Sequence, residues 1–541
     1  MKRKSLTSRL RSGAHSLALA FLISNATACG ADRQSRNHST LVAAISNDPG
    51  HLNTAITTNG SVHSAAGLLY NGLVSLDANL EPVPDLAERW EVENGGTLYR
   101  FHLRRDVRWH DGKPFTAADV KFTFEELLVK FHARTRASVG PALLRVDAPD
   151  DSTVEFRFRR PYAALLQQLD VDEAPIMPKH LFAGSDPLKN PANSAPVGTG
   201  PFRFVSYRSG SEIRYAANKE YFRGAPALQS VVMRIVPDAG TQLIALEAGE
   251  VDWLFGVPGP ERARLRTNPR FRLIQTRGVS GGSNCVSTLG FNLDRPLFRD
   301  IRLRRAIARA LDRRQFLERV AFGEGRVADA PISSGISFAH ASGLAMAGFD
   351  TVEAGRLLDS AGWLRGGGGV RRARGVGGFP DGAPLVIGFS AMPGQGTYGD
   401  LIRAQLRTAG IDVRVELLEP AVFGQKIFTA RDFDTAVVSY CNGSDPEIGV
   451  RRQYVSTNIA PVPFSNLAAY RNAVMDSLFD HAASALDVGE RRRVYRQIQE
   501  IAVRDQPYVW LIETLSTYAH NVRCRGLATS SHFAASATCT R

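Results

Sequence analysis

Apolar and polar positions alternate over residues 99–104 and again over residues 107–110. Apolar side chains at Tyr99, Phe101 and Leu103, and again at Val107 and Trp109, are separated by arginine and histidine. Successive side chains of a strand point to opposite faces, so this pattern predicts two half-buried strands.

The alternation ends at residues 110–112, where the sequence His-Asp-Gly is typical of a turn. Thr116 then precedes Asp119 by three residues, which is the spacing of a helix N-terminal capping box, and apolar residues follow at helical spacing. We expect a helix that runs to about Lys130. The aromatic and turn residues of this segment are interpreted as structural rather than catalytic.

Strand and helix patterns interleave along the rest of the chain. Val154, Phe156 and Phe158 alternate with polar residues, and a helical stretch that ends at Gly410 is followed by another alternating stretch. The fold class is therefore mixed α/β, and a length of 541 residues is typical of about three domains. Residues 365–384 are rich in glycine and arginine without periodicity, and we expect a mobile surface loop there rather than a phosphate-binding loop.

The amino terminus has the features of an export signal. A run of cations within residues 2–11 precedes a short apolar stretch at residues 17–23, and small residues lead to Cys29. The apolar stretch is too short to span the ~30 Å hydrocarbon core of a bilayer. We expect residues 1–28 to be a signal peptide and residues 29–39 a flexible tether. The position of Cys29 also resembles a bacterial lipobox, which implies a lipidated cysteine and a protein anchored to a membrane surface.

The formal net charge of the chain is +13. Loss of the five cations of the signal would leave +8. A basic chain can bind nucleic acid or anionic lipid, but here the arginines are scattered and form no basic stripe with interleaved aromatic residues. The charge is interpreted as a solvated surface, and no nucleic-acid partner is expected.

Several motifs occur together in a fixed order along the chain. They are Tyr70-Asn71-Gly72-Leu73, residues 84–90 (Pro-Asp-Leu-Ala-Glu-Arg-Trp), residues 109–120, residues 175–181, residues 196–202 (Pro-Val-Gly-Thr-Gly-Pro-Phe), residues 295–307 and residues 505–508. In sequence and order they resemble the extracytoplasmic solute-binding proteins of peptide-type ABC importers, the dipeptide and oligopeptide binder family. The resemblance covers nearly the whole chain after residue 40.

The resemblance implies a two-lobe clamshell of the periplasmic-binding-protein kind (type II-like) with an added α/β subdomain. By analogy, lobe I is discontinuous and comprises residues 40–80, 197–290 and 512–541. The added subdomain comprises residues 81–196, and lobe II comprises residues 291–511. The chain would be monomeric.

The resemblance further implies binding without catalysis. Such proteins close around a ligand and deliver it to an ABC permease, because the ligand binds the closed state better than the open one. The expected ligand is a peptide, and the expected location is the periplasm or cell envelope. A non-peptide solute (sugar-like, cyclic or amidated), or a role as a sensor or chaperone, remains an alternative.

The chain departs from its relatives where they bind the ends of a peptide. Asn442 or Gly443 stands where a carboxylate would bind the peptide amine, Gly396 replaces the arginine that binds the peptide carboxylate, and Val437 replaces a cation of the oligopeptide binders. A shift of two residues in the alignment would restore Asp445 as the amine-binding group, although Asp-Pro is typical of a turn. Either other groups bind the ends of the peptide or the ligand is not an ordinary peptide.

Candidate ligand-binding residues come from both expected lobes and are identified by their place in the resemblance. They are Thr57, Thr58, Asn59, Gln395, Tyr398, Tyr440, Asn442 and Asp445.

Five cysteines are present, and with Cys29 as a lipid anchor four remain. An oxidising compartment favours disulfides, and four cysteines allow three pairings. The positions of Cys285 and Cys441 resemble those of a bridged pair beside the cleft of oligopeptide binders. That resemblance implies the pairs Cys285–Cys441 and Cys524–Cys539.

A catalytic alternative is offered by Gly278-Val279-Ser280-Gly281-Gly282, which matches the Gly-x-Ser-x-Gly motif of serine hydrolases. That motif requires a helix after the serine, whereas residues 283–293 are typical of a loop followed by a strand. A hydrolase using Ser280 is therefore a remote alternative. No metal-binding motif occurs, and no metal or cofactor is expected.

Overall fold

The computed structural model describes residues 39–77, 80–276, 284–344 and 346–540. In chain order the strands are β1 Thr40–Ile45, β2 Val74–Leu76, β3 Pro82–Pro84, β4 Ala87–Glu93, β5 Leu98–Leu103, β6 Leu143–Asp150, β7 Thr153–Phe158, β8 Phe202–Arg208, β9 Glu212–Ala217, β10 Ser230–Ile235, β11 Trp253–Leu254, β12 Phe271–Thr276, β13 Asn284–Phe291, β14 Gly325–Val327, β15 Trp363–Arg365, β16 Arg371–Ala373, β17 Val386–Ala391, β18 Asp412–Leu417, β19 Thr435–Asn442, β20 Tyr508–Thr514, β21 Ser516–Asn521, β22 Cys524–Arg525 and β23 Thr538–Cys539.

The α-helices alternate with these strands. They are α1 Gly60–Ala66, α2 Ala117–Phe122, α3 Val129–Phe131, α4 Ala133–Ala142, α5 Leu165–Gln168, α6 Lys179–Phe182, α7 Ala239–Glu247, α8 Gly259–Thr267, α9 Pro296–Arg299, α10 Ile301–Ala310, α11 Arg313–Arg319, α12 Thr351–Ser360, α13 Gly396–Thr408, α14 Pro420–Gly424, α15 Arg451–Tyr454, α16 Ala473–Ser484 and α17 Val488–Asp505. A π-helical turn, Thr123–Leu128, joins α2 to α3. None of the helices in the described ranges has the length and apolarity needed to cross a bilayer.

Three sheets organise the chain into two lobes and a subdomain. Lobe I contains the seven-stranded sheet with the order β12-β21-β11-β1-β10-β9-β8, and lobe II contains the six-stranded sheet with the order β14-β20-β13-β19-β17-β18. The subdomain contains the four-stranded antiparallel sheet β4-β5-β7-β6. Both lobes mix parallel and antiparallel neighbours, which agrees with the predicted α/β class.

The subdomain contains the segment from which the first prediction came. Thr116 and Asp119 form the predicted capping box, and the helical stretch runs from Ala117 to Phe131. Trp109 is buried, and the backbone N–H of Lys113 donates to Asp111 Oδ1 as expected of a turn carboxylate.

The strand predicted around Val107 and Trp109 does not form. Its residues are buried, but only an isolated bridge joins Arg108 to Pro114. The Trp109 N–H donates to the Lys113 carbonyl and the Phe115 N–H donates to the Val107 carbonyl, so the segment closes on itself as a tight turn. The alternation of apolar residues in this segment therefore reflects their burial, and the segment pairs with no strand in the described ranges.

Strand pairing assigns the residues near two of the predicted lobe boundaries to a sheet. Strand β13 pairs with β19 along its whole length, from Asn284 opposite Asn442 to Phe291 opposite Thr435. Residues 284–290 therefore belong to the sheet of lobe II, as do residues 512–514 at the end of β20. The single residue Leu515 lies between β20 and β21.

The glycine-rich stretch is more ordered than predicted. Strands β15 and β16 form a short hairpin, and Arg371 within it is almost fully buried. The Arg371 guanidinium donates to the carbonyls of Ala409 at 2.8 Å and Trp363 at 2.6 Å. The sequence pattern does not predict this buried arginine, because an arginine that binds carbonyl groups leaves no periodic pattern of apolar residues.

Two disulfides are present, Cys285–Cys441 and Cys524–Cys539, with the pairing that the resemblance implied. The first joins β13 to β19 at directly opposite positions, and the second joins β22 to β23. The first bond therefore fixes the central strand pair of the lobe II sheet near one end of the two strands, and the second fixes a separate two-stranded sheet. Cys29 and the proposed signal and tether lie outside the described residues.

Candidate ligand-binding site

A cavity of about 260 Å³ lies between lobe II on one side and lobe I with the subdomain on the other. Its walls come from both sides: Thr58, Gly60, His63, Leu76, Leu80, Arg134, Gln167, Asp170, Asp172 and Glu173 face Asn284, Ser439, Cys441, Asn442, Gly443, Ser444, Arg452 and Phe464. The lining combines apolar surface with charged groups of both signs. It can bind a small solute that carries both an ammonium and a carboxylate group.

Three acids of the subdomain side lie within four residues, in the loop after α5. Asp170, Asp172 and Glu173 are all buried. Asp172 accepts a hydrogen bond from the Ser531 hydroxyl at Oδ1, whereas its Oδ2 and the Oε2 of Glu173 have no partner among the described residues. Two buried carboxylate oxygens that lack donors favour the binding of a cation.

The electrostatics of this acidic cluster are set by burial. Burial raises the pKa of Glu173 to about 7, although Arg134 Nη2 lies 2.9 Å from its Oε1. Burial and the adjacent Asp172 carboxylate raise the pKa of Asp170 well above its usual range. The His63 Nε2–H donates to the Thr57 carbonyl at 2.9 Å, and burial lowers the pKa of His63, so it is neutral near pH 7. The cluster therefore changes charge close to neutral pH.

Arg452 is the cation of the opposite wall. It begins α15 together with Arg451, and its guanidinium lies 5.6 Å from the centre of the Phe464 ring and 6.0 Å from that of Tyr440. Its hydrogen bonds go to the carbonyls of Gly449 and Cys441, and no carboxylate lies within ion-pair distance in the part of the chain that the structure describes. Burial lowers the pKa of Arg452 to about 10, so the group keeps its charge at neutral pH.

Two amides complete the wall of lobe II. Asn284 and Asn442 occupy directly opposite positions of β13 and β19, next to the Cys285–Cys441 disulfide. Asn284 Nδ2 donates to the Gly443 carbonyl and Gln453 Nε2 donates to Asn442 Oδ1, but Asn284 Oδ1 and Asn442 Nδ2 have no partner within the described ranges. One free acceptor and one free donor match the N–H and C=O of a peptide bond.

Of the residues predicted from the first lobe, the structure places Thr58 on the cavity wall. Asn59 Oδ1 instead accepts from the Ser61 N–H and caps α1, while Thr57 Oγ1 accepts from the Asn59 N–H. Thr57 and Asn59 therefore shape the start of α1, next to the cavity.

The predicted residues of the second lobe are distributed differently. Asn442 lies on the wall, and Tyr440 lies behind it, fully buried, with its hydroxyl donating to the Ser465 carbonyl. Gln395 accepts from the Met392 N–H at the start of α13, and Tyr398 is buried against Phe316 with 5.9 Å between ring centres. The structure does not bring these last two to the cavity lining.

Asp445 lies inside lobe II and not on the cavity wall. Its carboxylate pairs with Arg491, 2.7 Å from Nη2, and Oδ1 also accepts from the Glu447 N–H in a turn. The ion pair and Tyr495 raise the pKa of Arg491 above its ordinary value, against the effect of burial. Asp445 is therefore the turn residue that its Asp-Pro sequence indicated, with an internal cation as its partner.

The acids and cations of the cavity were absent from the sequence-derived candidates. One sequence feature could have identified the acids, namely the run Asp170-Val171-Asp172-Glu173. It places three acids within four residues, although the chain as a whole is basic. Arg452 has no such signal, because an Arg-Arg pair is typical of a solvated surface. Its importance arises because, among the described residues, no carboxylate lies within ion-pair distance of it.

Two other chemistries were tested against the structure. Ser280 lies outside the described residues, and the described chain resumes after it as strand β13, whereas a hydrolase nucleophile requires a helix there. Asp329, His340 and Glu513 bring ligand atoms within 4.8 Å of one another. Arg326 already pairs with Asp329 at 2.9 Å and lies 3.9 Å from Glu513, so a guanidinium supplies the positive charge in that cluster.

Comparisons with known proteins agree with this architecture. The oligopeptide-binding protein AppA of Bacillus subtilis is 27% identical over 483 residues, which is 87% of this chain and 85% of AppA. Heme-binding protein A of Haemophilus influenzae is 27% identical over 540 residues, which is 94% of this chain and 93% of that protein. The two names differ in ligand, so these similarities do not identify one solute.

Solved structures share the fold. The periplasmic binding protein DppA of Helicobacter pylori, solved in complex with the peptide STSA, superposes with a TM-score of 0.78 at 23% identity, covering 93% of this chain and 98% of DppA. The family model of bacterial extracellular solute-binding proteins, family 5 (middle region), matches residues 81–460. This match spans most of the chain, including the subdomain and most of lobe II. The chain therefore belongs to family 5 of the bacterial extracellular solute-binding proteins.

Proposed function

We propose that the protein captures a short zwitterionic peptide between its lobes and delivers it to the permease of a peptide-type ABC importer. The observation that carries the proposal is the set of buried polar atoms without partners, contributed by both sides of one cavity. In this proposal Asp172 and Glu173 bind the peptide ammonium, and Arg452 binds its carboxylate. Asn284 and Asn442 bind the peptide group between them.

This arrangement supplies both charged contacts that the family motifs lack in this chain. The amine-binding acids come from the subdomain instead of the segment around Asn442, and the cation comes from α15 instead of the position of Gly396. The peptide's ends thus bind opposite walls, so the peptide favours the closed arrangement over the open one. Such differential affinity is what drives closure, since a ligand that bound only one lobe would not shift the equilibrium.

The size of the cavity supports a short ligand. Sites for drug-sized molecules have volumes of ~300–1,000 Å³, and the cavity of about 260 Å³ is slightly smaller. We infer a peptide of two or three residues, or another zwitterion of that length.

We further propose that Cys29 is lipidated after export, so that the binding protein stays near its permease. The support is the amino-terminal sequence, a cationic and apolar stretch followed by Ala26-Thr27-Ala28-Cys29. Cells fed a fatty-acid probe should label the wild-type protein and not Cys29→Ser. Equal labelling of both proteins would contradict the anchor.

The carboxylate contact is tested by Arg452→Met, with dialanine and dialanine amide as probes in isothermal titration calorimetry. A charge-assisted hydrogen bond contributes ~1.5–3 kcal/mol, so wild-type protein should bind dialanine about 10- to 100-fold more tightly than the amide. Arg452→Met should weaken dialanine binding to the level of the amide and leave amide binding nearly unchanged.

The matched control is Arg496→Met, because Arg496 forms an exposed pair with Glu500 on α17. It should keep the full preference for dialanine. An Arg452→Met protein that still prefers the free acid would show that another group binds the carboxylate.

The proposed contact between Glu173 and the peptide ammonium predicts that the affinity for the peptide depends on pH. Since burial raises the pKa of Glu173 to about 7, the carboxyl is largely protonated at pH 5 and gains its charge as the pH rises through 7. A cationic ammonium binds the ionised form better, so dialanine affinity should rise several-fold between about pH 5 and about pH 7.5. Glu173→Gln should bind more weakly at pH 7.5 and show a much smaller rise.

Glu447→Gln is the matched control for the pH experiment. Burial also raises the pKa of Glu447 to about 7, but this residue pairs with Arg451 and does not line the cavity. Its variant should keep the wild-type pH profile of affinity. A wild-type affinity that falls as the pH rises would refute ammonium binding by the acidic cluster.

A further inference from the structure

A second cavity of about 240 Å³ lies in lobe I, next to the ligand-binding cavity. The two cavities share three wall residues, Gly60, His63 and Asp172. A Cβ atom added at Gly60 would meet no other atom within 4 Å, so protein does not crowd this shared wall position. We call this second cavity the aromatic chamber.

The aromatic chamber takes its name from four rings. Trp253 of β11 stacks on Phe533 with 5.5 Å between ring centres and lies 5.4 Å from Tyr518 of β21. Phe255 packs edge-on against Phe533 at 5.2 Å. The indole Nε1 of Trp253 is buried and has no hydrogen-bond partner in the described ranges, so one donor in this apolar wall is unused.

The remaining wall is formed by the carboxyl-terminal segment, residues 524–539, which the Cys524–Cys539 disulfide closes into a loop. The loop is held at several points. Arg523 beside it forms a bidentate pair with the fully buried Asp252 at 2.8 and 2.6 Å, and His532 Nε2 lies 2.7 Å from the Tyr70 carbonyl. Ser531 within it donates to Asp172. The chamber is thus preformed rather than created by a mobile tail.

We propose that the aromatic chamber binds the side chain of the first residue of the peptide and selects a large aromatic ring with a polar end, as in tyrosine. The inference rests on the proposed function, because it uses Asp172 as the ammonium-binding group. Asp172 lies at the junction of the two cavities, with Oδ1 held by Ser531 and Oδ2 unpaired. A peptide whose ammonium binds Asp172 places its first side chain next to the chamber while its main chain runs toward Arg452.

The chemistry of the chamber matches that ring. Aromatic side chains pack favourably edge-on or offset against other rings, and the partly buried rings of Phe255 and Tyr518 can pack in this way against the ligand, while the buried Phe533 and Trp253 support them. Ser64 and Thr529 also line the chamber, and their hydroxyl groups can form a hydrogen bond with a phenolic oxygen.

The test compares two isomeric dipeptides, Tyr-Gly and Gly-Tyr, by isothermal titration calorimetry. They have the same composition, charge and hydrophobicity, and differ in which end carries the ring. Because only Tyr-Gly can place its ring in the chamber, it should bind at least ~10-fold more tightly than Gly-Tyr.

Two variants of the carboxyl-terminal loop test whether the preference for Tyr-Gly arises in the aromatic chamber. Ser530→Trp adds a ring where the loop lines the chamber and should abolish the preference for Tyr-Gly, while the affinity for dialanine stays within about twofold of wild type. Ser536→Trp is the matched control, because Ser536 is exposed in the same loop and does not line the chamber. It should retain the preference, which also shows that the loop tolerates a tryptophan.

The outcomes separate the two proposals. If dialanine, Tyr-Gly and Gly-Tyr all fail to bind the wild-type protein, the proposed function itself is wrong. If the two isomers bind equally, or if Ser530→Trp keeps the preference for Tyr-Gly, the peptide-binding site stands and the chamber does not hold the first side chain.

Discussion

Polar atoms that are buried without partners dominate the energetics of this protein. Removing such an atom from water without a hydrogen bond costs about 1–3 kcal/mol, and more if it is charged. Asp172, Glu173, Asn284 and Asn442 line the cavity between the lobes, and each carries one such atom. In the proposed function, the closed arrangement is therefore unfavourable when empty, and a solute that pairs with atoms on both sides removes the penalty. Ligand binding and lobe closure thus become one event.

Each of these groups is held by structure within its own side of the cavity. The full-length pairing of β13 with β19, fixed by Cys285–Cys441, sets Asn284 beside Asn442. The Asp445–Arg491 pair lies below this strand end, inside lobe II. On the opposite side, the carboxyl-terminal loop positions Asp172 through Ser531. The groups of each wall are therefore held mainly by contacts within that wall.

Local sequence patterns predicted several of the elements but not the site. The capping box at Thr116 and the alternating residues of β5 and β7 depend on neighbours within a few positions, so the sequence predicts them. The strand near Trp109 failed because alternation reports burial and not the presence of a pairing partner. The family resemblance identified the two-lobe fold, the disulfide pairing and the region of Asn442. It also directed attention to Asp445, whose carboxylate is bound internally by an arginine 46 residues further along the chain.

The charged groups of the cavity were beyond sequence reasoning for a physical reason. Whether a charged side chain is available to a ligand depends on which opposite charges lie near it after folding. Arg451 and Arg452 are adjacent in the chain, yet Arg451 pairs with Glu447 and Asp480 while Arg452 has aromatic rings and carbonyl groups beside it. Small-angle X-ray scattering of the protein, first unfolded and refolded to remove retained solute, tests the coupling of closure to ligand most directly. The radius of gyration should decrease when saturating dialanine is added, whereas free and bound curves that superimpose would contradict the account.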